Sequence, residues 1–310
     1  MRVTVLLGPV TDGAPVAAEL TALGVDGPVA LVTAGWEEGE RNDAELNRAL
    51  GGVTRNLGLF GRRLDIMESD PEYAAADRTL RAVVADMREV YLVQLRYALR
   101  GVDAVRQHAA KARRLAGGEL DEAIETVRGI DERYAARLAT AHDEFYTSMR
   151  PHDREVIARH RAEVAAIVAD CAAVVVAGGH VGVLTEALHL SNLGATLGER
   201  PLMTWSSGAM AVAERVMVVD DNDLADRPDE VLTAGIGVVH GVVPLAAARL
   251  RLHMDDRNRL AVLARRVAPR VCVLLDPGDR LPCDSAGVPD FQLARVVAPD
   301  GTVIATSEAA

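Results

Sequence analysis

Residues 201–219 read PLMTWSSGAMAVAERVMVV. Leu202 to Trp205 make a short apolar run, Ser206-Ser207-Gly208 an abrupt small-residue turn, and the residues beyond it the first turns of a helix. A strand that turns sharply into a helix pushes the serine at the turn out of the sheet and toward solvent, where an acyl-transfer nucleophile is placed. The pattern is S-x-G, because Thr204 stands where G-x-S-x-G has its first glycine. A serine here also has a plainer use, capping the helix with its hydroxyl. The rest of the chain decides between the two.

With 310 residues, 49% of them hydrophobic, the chain is long enough for one large domain or two small ones around a buried core. A net charge of −11 argues against a nucleic-acid-binding surface, and 3% aromatic residues leave little for stacking bases. Cys171, Cys272 and Cys283 are odd in number and lack CxxC spacing, so neither a disulfide framework nor a zinc site is expected, and a reducing cytoplasm fits. The opening MRVTVLLGPV reads as a strand closed by Gly-Pro rather than a signal peptide. No run approaches the roughly eighteen apolar residues of a membrane span. Gly178-Gly179 lies outside any GxGxxG, and there is no Walker lysine, so no nucleotide, metal or other cofactor is expected.

Outward from the Ser206 turn, short β-branched runs closed by glycine turns fall at 3–7, 29–33, 173–177, 202–205, 215–219 and 271–275. Strands alternating with helical stretches predict an α/β fold with a mostly parallel sheet covered on both faces. Residues 70–170 differ. Leu80, Val84, Met87, Tyr91, Leu95, Ala98, Val102 and Val105 recur at spacings of three and four, one stripe of a long amphipathic helix. Continuous over 71–115, it would run about 65 Å, with Gly101 a possible bend. A second helix over 120–149 carries Ile124, Val127, Ile130, Tyr134, Leu138, Ala141 and Phe145, and a third runs over 153–169. The expected division is an α/β body from 1–69 and 171–310 with a helical insertion at 70–170. The insertion is either a hairpin packed on itself and the sheet, or a dimerisation arm or lid; a helix longer than its domain needs a partner surface, so a homodimer is expected.

Four features converge on one chemistry. The run at 173–177 is followed by Gly178-Gly179-His180, where glycines let backbone N–H groups approach a ligand, as in an oxyanion hole. Ser207 offers a second such N–H. His253, followed by Asp255 and Asp256 and then Arg257 and Arg259, is the residue type that takes a serine's proton, with a carboxylate to fix its tautomer. Asp220, Asp221 and Asp223 are alternative orienting carboxylates, and the choice between them and Asp255 is open. His180 either contacts substrate or caps the following helix; Trp36 and Trp205 either wall a pocket or pack in the core.

Gly-Gly-His after a strand, S-x-G-A after the next, and GIGVVHGVVP leading to H-x-x-x-R-x-R-L together resemble the serine peptidases related to dipeptidase E and cyanophycinase. Their pattern is roughly G-G-[ND], then G-T-S-A-G-A, then G-L-G-L-[LV] leading into D-x-H-F-x-x-R-x-R. The stretch GPVALVTAGWEEGE, with Trp36 and Glu37, also resembles that group's first core strand and loop. The resemblance covers about two thirds of the chain, leaving the helical segment without a counterpart. It implies the class I glutamine amidotransferase-like fold, a doubly wound sheet with a nucleophile elbow. It further implies Ser206 as nucleophile, His253 as base, and the Gly179 and Ser207 amides as oxyanion donors. Gly178, His180, Trp36, Trp205, Arg257 and Arg259 then stand near the substrate, a small peptide or amide. Departures are plain: Thr204-Trp205 replaces Gly-Thr, Ser207 replaces Ala, His180 replaces Asn or Asp, and Arg251 and Leu252 replace an acidic and a polar residue. They keep a second reading open, a non-catalytic binding or interaction protein of the same fold.

Overall fold

A computed structural model describes residues 3–111, 118–219 and 228–305. In chain order the elements are β1 (Thr4–Leu7), α1 (Ala14–Ala22), β2 (Val29–Val32), α2 (Ala44–Ala49), β3 (Thr54–Asn56), α3 (Leu59–Ser69), α4 (Pro71–Lys111), α5 (Gly118–Met149) and α6 (Glu155–Ala169). Then come β4 (Ala173–Val176), α7 (Val181–Leu190), α8 (Leu193–Thr196), β5 (Leu202–Trp205), α9 (Ser207–Ala211), β6 (Arg215–Val218), β7 (Glu230–Ala234) and β8 (Val242–Ala246). The chain closes with α10 (Ala248–Arg251), α11 (Arg257–Val267), β9 (Val271–Leu275), β10 (Arg280–Cys283), β11 (Arg295–Val297) and β12 (Val303–Ala305).

The fold is mixed α/β. One six-stranded sheet has the order β10-β1-β5-β4-β2-β3, parallel except for β10 on its edge. Strands β1, β2, β4 and β5 are buried at every position, which is why they read as unbroken apolar runs. Alternate residues serve opposite faces. Val5, Leu7, Leu31, Val175 and Met203 meet Val16 and Leu20 of α1 and Leu46 of α2. Leu6, Val32, Val174 and Val176 meet Val164 and Val168 of α6 and Leu184 and Leu188 of α7.

The runs at 215–219 and 271–275, expected in the same parallel sheet, lie elsewhere. Nine residues separate β5 from β6, fewer than the dozen or so that a parallel crossover requires. The chain instead pairs β6 antiparallel with β7. Strand β9 joins a second sheet of order β12-β11-β9-β8, parallel only between β8 and β9.

Helices α4 and α5 pack along each other and onto that second layer. Tyr91, Leu95, Val127, Ile130 and Tyr134 share an apolar cluster with Leu260 and Leu263 of α11, Val231 of β7, and Cys272 and Leu274 of β9. A buried polar network crosses it. Arg266 donates to Asp131 at 2.5 and 2.9 Å, and the Tyr91 hydroxyl donates to Asp131 at 2.7 Å while accepting the Val231 N–H at 3.0 Å. Tyr91 stacks on Tyr134 with ring centroids 4.0 Å apart. The ion pairs Arg88–Glu230, Arg215–Glu132 and Arg265–Asp121 lace the rim. No helix among the described residues is long and apolar enough to cross a membrane.

Candidate active site

Strand β5 ends at Trp205, and Ser206 turns the chain with φ 52° and ψ −125°. This backbone conformation is comfortable only for glycine, and a serine held there is strained by about 1–3 kcal/mol. A helix-capping serine has extended backbone and a hydroxyl bonded to the following turn. Ser206 has neither: its side chain makes no capping bond, and among the described residues Oγ has no hydrogen-bond partner. The Ser206 N–H donates to Leu7 O at 3.0 Å, fixing the turn beside the end of β1, and its carbonyl accepts the Ala209 N–H at 3.0 Å, starting α9.

The neighbouring glycines are explained by contact. A Cβ on Gly208 would stand 2.5 Å from Val176 O and 2.9 Å from Ala177 O, so α9 leans on β4 only because this residue has no side chain. A Cβ on Gly178 would lie 3.0 Å from Ser206 Cβ and 3.4 Å from Oγ, which places this loop directly against the serine. Ser207 Oγ donates to Gly179 O at 2.7 Å and ties the two turns together. Gly179, at φ 137°, would drive a Cβ to 2.4 Å from Gly35 O, and the His180 N–H donates to that oxygen at 2.7 Å. Loops at the carboxyl ends of β5, β4 and β2 are thus joined in strand order, the edge where open α/β sheets bind ligands. The N–H groups of Gly179 and Ser207 donate to no acceptor among the described residues.

His180 Nδ1 accepts the Val183 N–H at 3.2 Å, so this side chain caps α7. Trp205 is buried with Val5, Met203 and Val16, and half-buried Trp36 packs on the same cluster, so Trp205 serves the core and offers a ligand little surface. Glu37, beside Trp36, escaped the sequence reading as a site residue. It holds φ 57° and ψ −124°, matching Ser206, and nothing in the run Trp36-Glu37-Glu38 announces a positive φ.

The base side is arranged differently. His253 is solvent-exposed, with its carbonyl accepting the Asp256 N–H at 2.9 Å, and it forms no hydrogen bond with Ser206 Oγ. Between it and β8 lie Ala247, at φ 56°, and α10. Ala246, which packs with Met210 of α9, opens the run Ala246-Ala247-Ala248, so the end of β8 nearest the elbow helix carries no titratable side chain. Asp255 is exposed, and Asp256 caps α11 by accepting the Arg259 N–H at 3.0 Å. Arg257 is paired with Asp300 and Arg259 with Asp229, at 2.5 and 2.7 Å; both guanidinium groups are engaged by the chain's own carboxylates. Asp220, Asp221 and Asp223 lie outside the described residues.

A carboxylate the sequence reading passed over is Asp276, buried at the carboxyl end of β9. Its Oδ1 accepts the Arg249 N–H at 2.9 Å and its Oδ2 an Arg295 N–H at 2.6 Å. The signal was a lone aspartate closing the apolar run at 271–275 before Pro277-Gly278. The cysteines supply no nucleophile: burial pushes the Cys272 and Cys283 thiols up to about 12, and Cys171 is raised by the same cause. Among the described residues no group of three or more His, Cys, Asp or Glu side chains is placed to hold a metal ion.

No family model matches the chain. No curated protein matches it either. Among solved structures, the chain is similar to a peptidase from an acI-B1 Actinobacterium at 11% identity, over 96% of this chain and 88% of that one, with a TM-score of 0.45. A likeness this distant carries no argument about activity.

Proposed function

We propose that the chain is a serine hydrolase cleaving a small peptide or amide, on a body of the class I glutamine amidotransferase-like type formed by residues 1–69 and 171–310. One observation carries the reading: Ser206 holds a strained, positive-φ backbone at a strand-to-helix turn with its hydroxyl bonded to none of the described residues. A helix cap requires no such strain, whereas a nucleophile presented above a sheet does. Ser206 Oγ attacks the carbonyl carbon, and the resulting oxyanion accepts the Gly179 and Ser207 N–H groups. His253 takes the hydroxyl proton and returns it to the leaving amine; water then releases the acyl group by the same route. Asp255 is the orienting carboxylate nearest in sequence. Because His253 is exposed, its contact with Oγ belongs to the substrate-engaged state.

A fluorophosphonate probe followed by peptide mapping tests this. Wild type is expected to label at Ser206, Ser206→Ala to remain unlabelled, and His253→Ala to label about 10²–10⁴-fold more slowly. Equal labelling of wild type and Ser206→Ala removes the proposal. A second reading, a non-catalytic binding protein on the same scaffold, is favoured by the alanines at the end of β8 and the missing serine–histidine hydrogen bond. It stands if the wild-type protein does not label.

A further inference from the structure

We infer that Arg249 holds a carboxylate of the substrate, an inference that rests on the reading of Ser206 as the nucleophile. The arginines that the resemblance set near the substrate are committed elsewhere, Arg257 to Asp300 and Arg259 to Asp229. Arg249 is not. Its side chain is 73% exposed, and its ion pair with Asp276 is a loose one, Nε to Oδ2 at 3.5 Å. The Asp276 carboxylate already accepts the Arg249 backbone N–H at 2.9 Å and an Arg295 N–H at 2.6 Å. Both Nη groups of Arg249 are left without a partner among the described residues. An arginine binds a carboxylate through two parallel N–H···O bonds, and these groups can supply them.

Contacts carry this guanidinium to the site. A Cβ on Gly8 would stand 1.8 Å from Asp276 O, so the end of β1 lies against the turn that closes β9. The Leu7 carbonyl beside Gly8 accepts the Ser206 N–H at 3.0 Å. Asp276, Gly8 and Ser206 are therefore consecutive neighbours along one edge of the fold. Two steps of about 4.8 Å, the spacing of paired strands, come to about 10 Å. An extended dipeptide of about 7 Å and one hydrogen bond of about 3 Å span the same distance. From the other direction, Ala246 at the end of β8 packs with Met210 of α9, the helix that Ser206 opens. Ala247, at φ 56°, then turns the chain into α10, and the bond from the Arg249 N–H to buried Asp276 fixes that short helix. Asp276 is thus a positioning residue, and Arg249 is the group that meets the ligand. The carboxylate is either the C-terminus of a short peptide or an acidic side chain.

Titration calorimetry of the full chain carrying Ser206→Ala, which stops turnover, tests this with two ligand pairs: Ala-Ala against Ala-Ala amide, and Asp-Ala amide against Asn-Ala amide. The acid of at least one pair is expected to bind about 10–100-fold more tightly than its neutral counterpart. A difference in the first pair marks a terminal carboxylate, and one in the second a side chain. Adding Arg249→Gln should abolish the difference without moving the thermal melt, since it changes an exposed side chain, and Arg249→Lys should restore part of it. Arg251→Gln, at another exposed arginine of α10, should leave it intact. Equal binding within both pairs, no binding of any of the four, or a loss with Arg251→Gln as large as with Arg249→Gln would each overturn the inference. Fluorophosphonate labelling of wild type separates the two readings. A protein that does not label but discriminates through Arg249 keeps this inference and loses the hydrolase.

Discussion

At the scale of single residues, Ser206 and the glycines around it divide between strain and clearance. Ser206→Gly relieves the positive φ and is expected to raise stability by about 1 kcal/mol, read from the urea midpoint, while removing probe labelling. A loss of stability would mean that the serine side chain itself holds the turn. Gly208→Ala acts the other way, because its new Cβ would stand 2.5 Å from Val176 O. It should cost about 1–3 kcal/mol and reduce labelling as α9 is pushed off β4. The S-x-G pattern was legible because small residues at a strand-to-helix corner have few other uses. The conformation of Glu37 was not legible: a glutamate spends nearly all its time at negative φ, and its loop is tied to the site by tertiary contacts, the His180 N–H donating to the Gly35 carbonyl and Gly179 packing against Gly35.

Among the elements, attachment of the two long helices rests on paired charges. Arg266 and Asp131 are both almost fully buried, and Asp131→Ala strands the guanidinium without its partner. The expected cost is about 3–5 kcal/mol in chemical denaturation. Tyr91→Phe removes one bond to Asp131 and one to the Val231 N–H, and should cost about 1–3 kcal/mol. The root of α4 is pH-sensitive. Hydrogen bonds from Arg154 hold the Asp70 carboxyl below its usual range. A carboxyl lowered in the folded state stabilises fully above its unfolded value near pH 3.9, and the contribution is lost as the pH falls through that value toward the folded one. Asp70→Asn should therefore be less stable than wild type at pH 7 but lose less on acidification, measured as urea midpoints at pH 7 and pH 3. The helices themselves were plain in the sequence, since a stripe at spacings of three and four over so many turns fits nothing else. Which side of α4 would be covered was half legible: the inward stripe was read, while Val83, Val90, Val93 and Tyr97 interleave with it and emerged only once α5 was in place.

For the whole molecule, the candidate site is built on one of the three sheets. The elbow stands on β5, with the loops after β4 and β2 beside it. The sequence by itself determined the elements that bury both faces or one stripe: the runs at 202–205 and 271–275 match β5 and β9 end for end, and the helical stretch stood out by its period. Such patterns are written in neighbouring residues, because burial imposes them locally. Tertiary structure alone decided how those elements were shared among three sheets, since strand partners are chosen by connection length and shape across the molecule. It alone also decided the site. Gly178, Gly35 and Ser206 are far apart in the chain and meet only because β2, β4 and β5 lie side by side, whereas His253 follows β8 of a different sheet and is exposed.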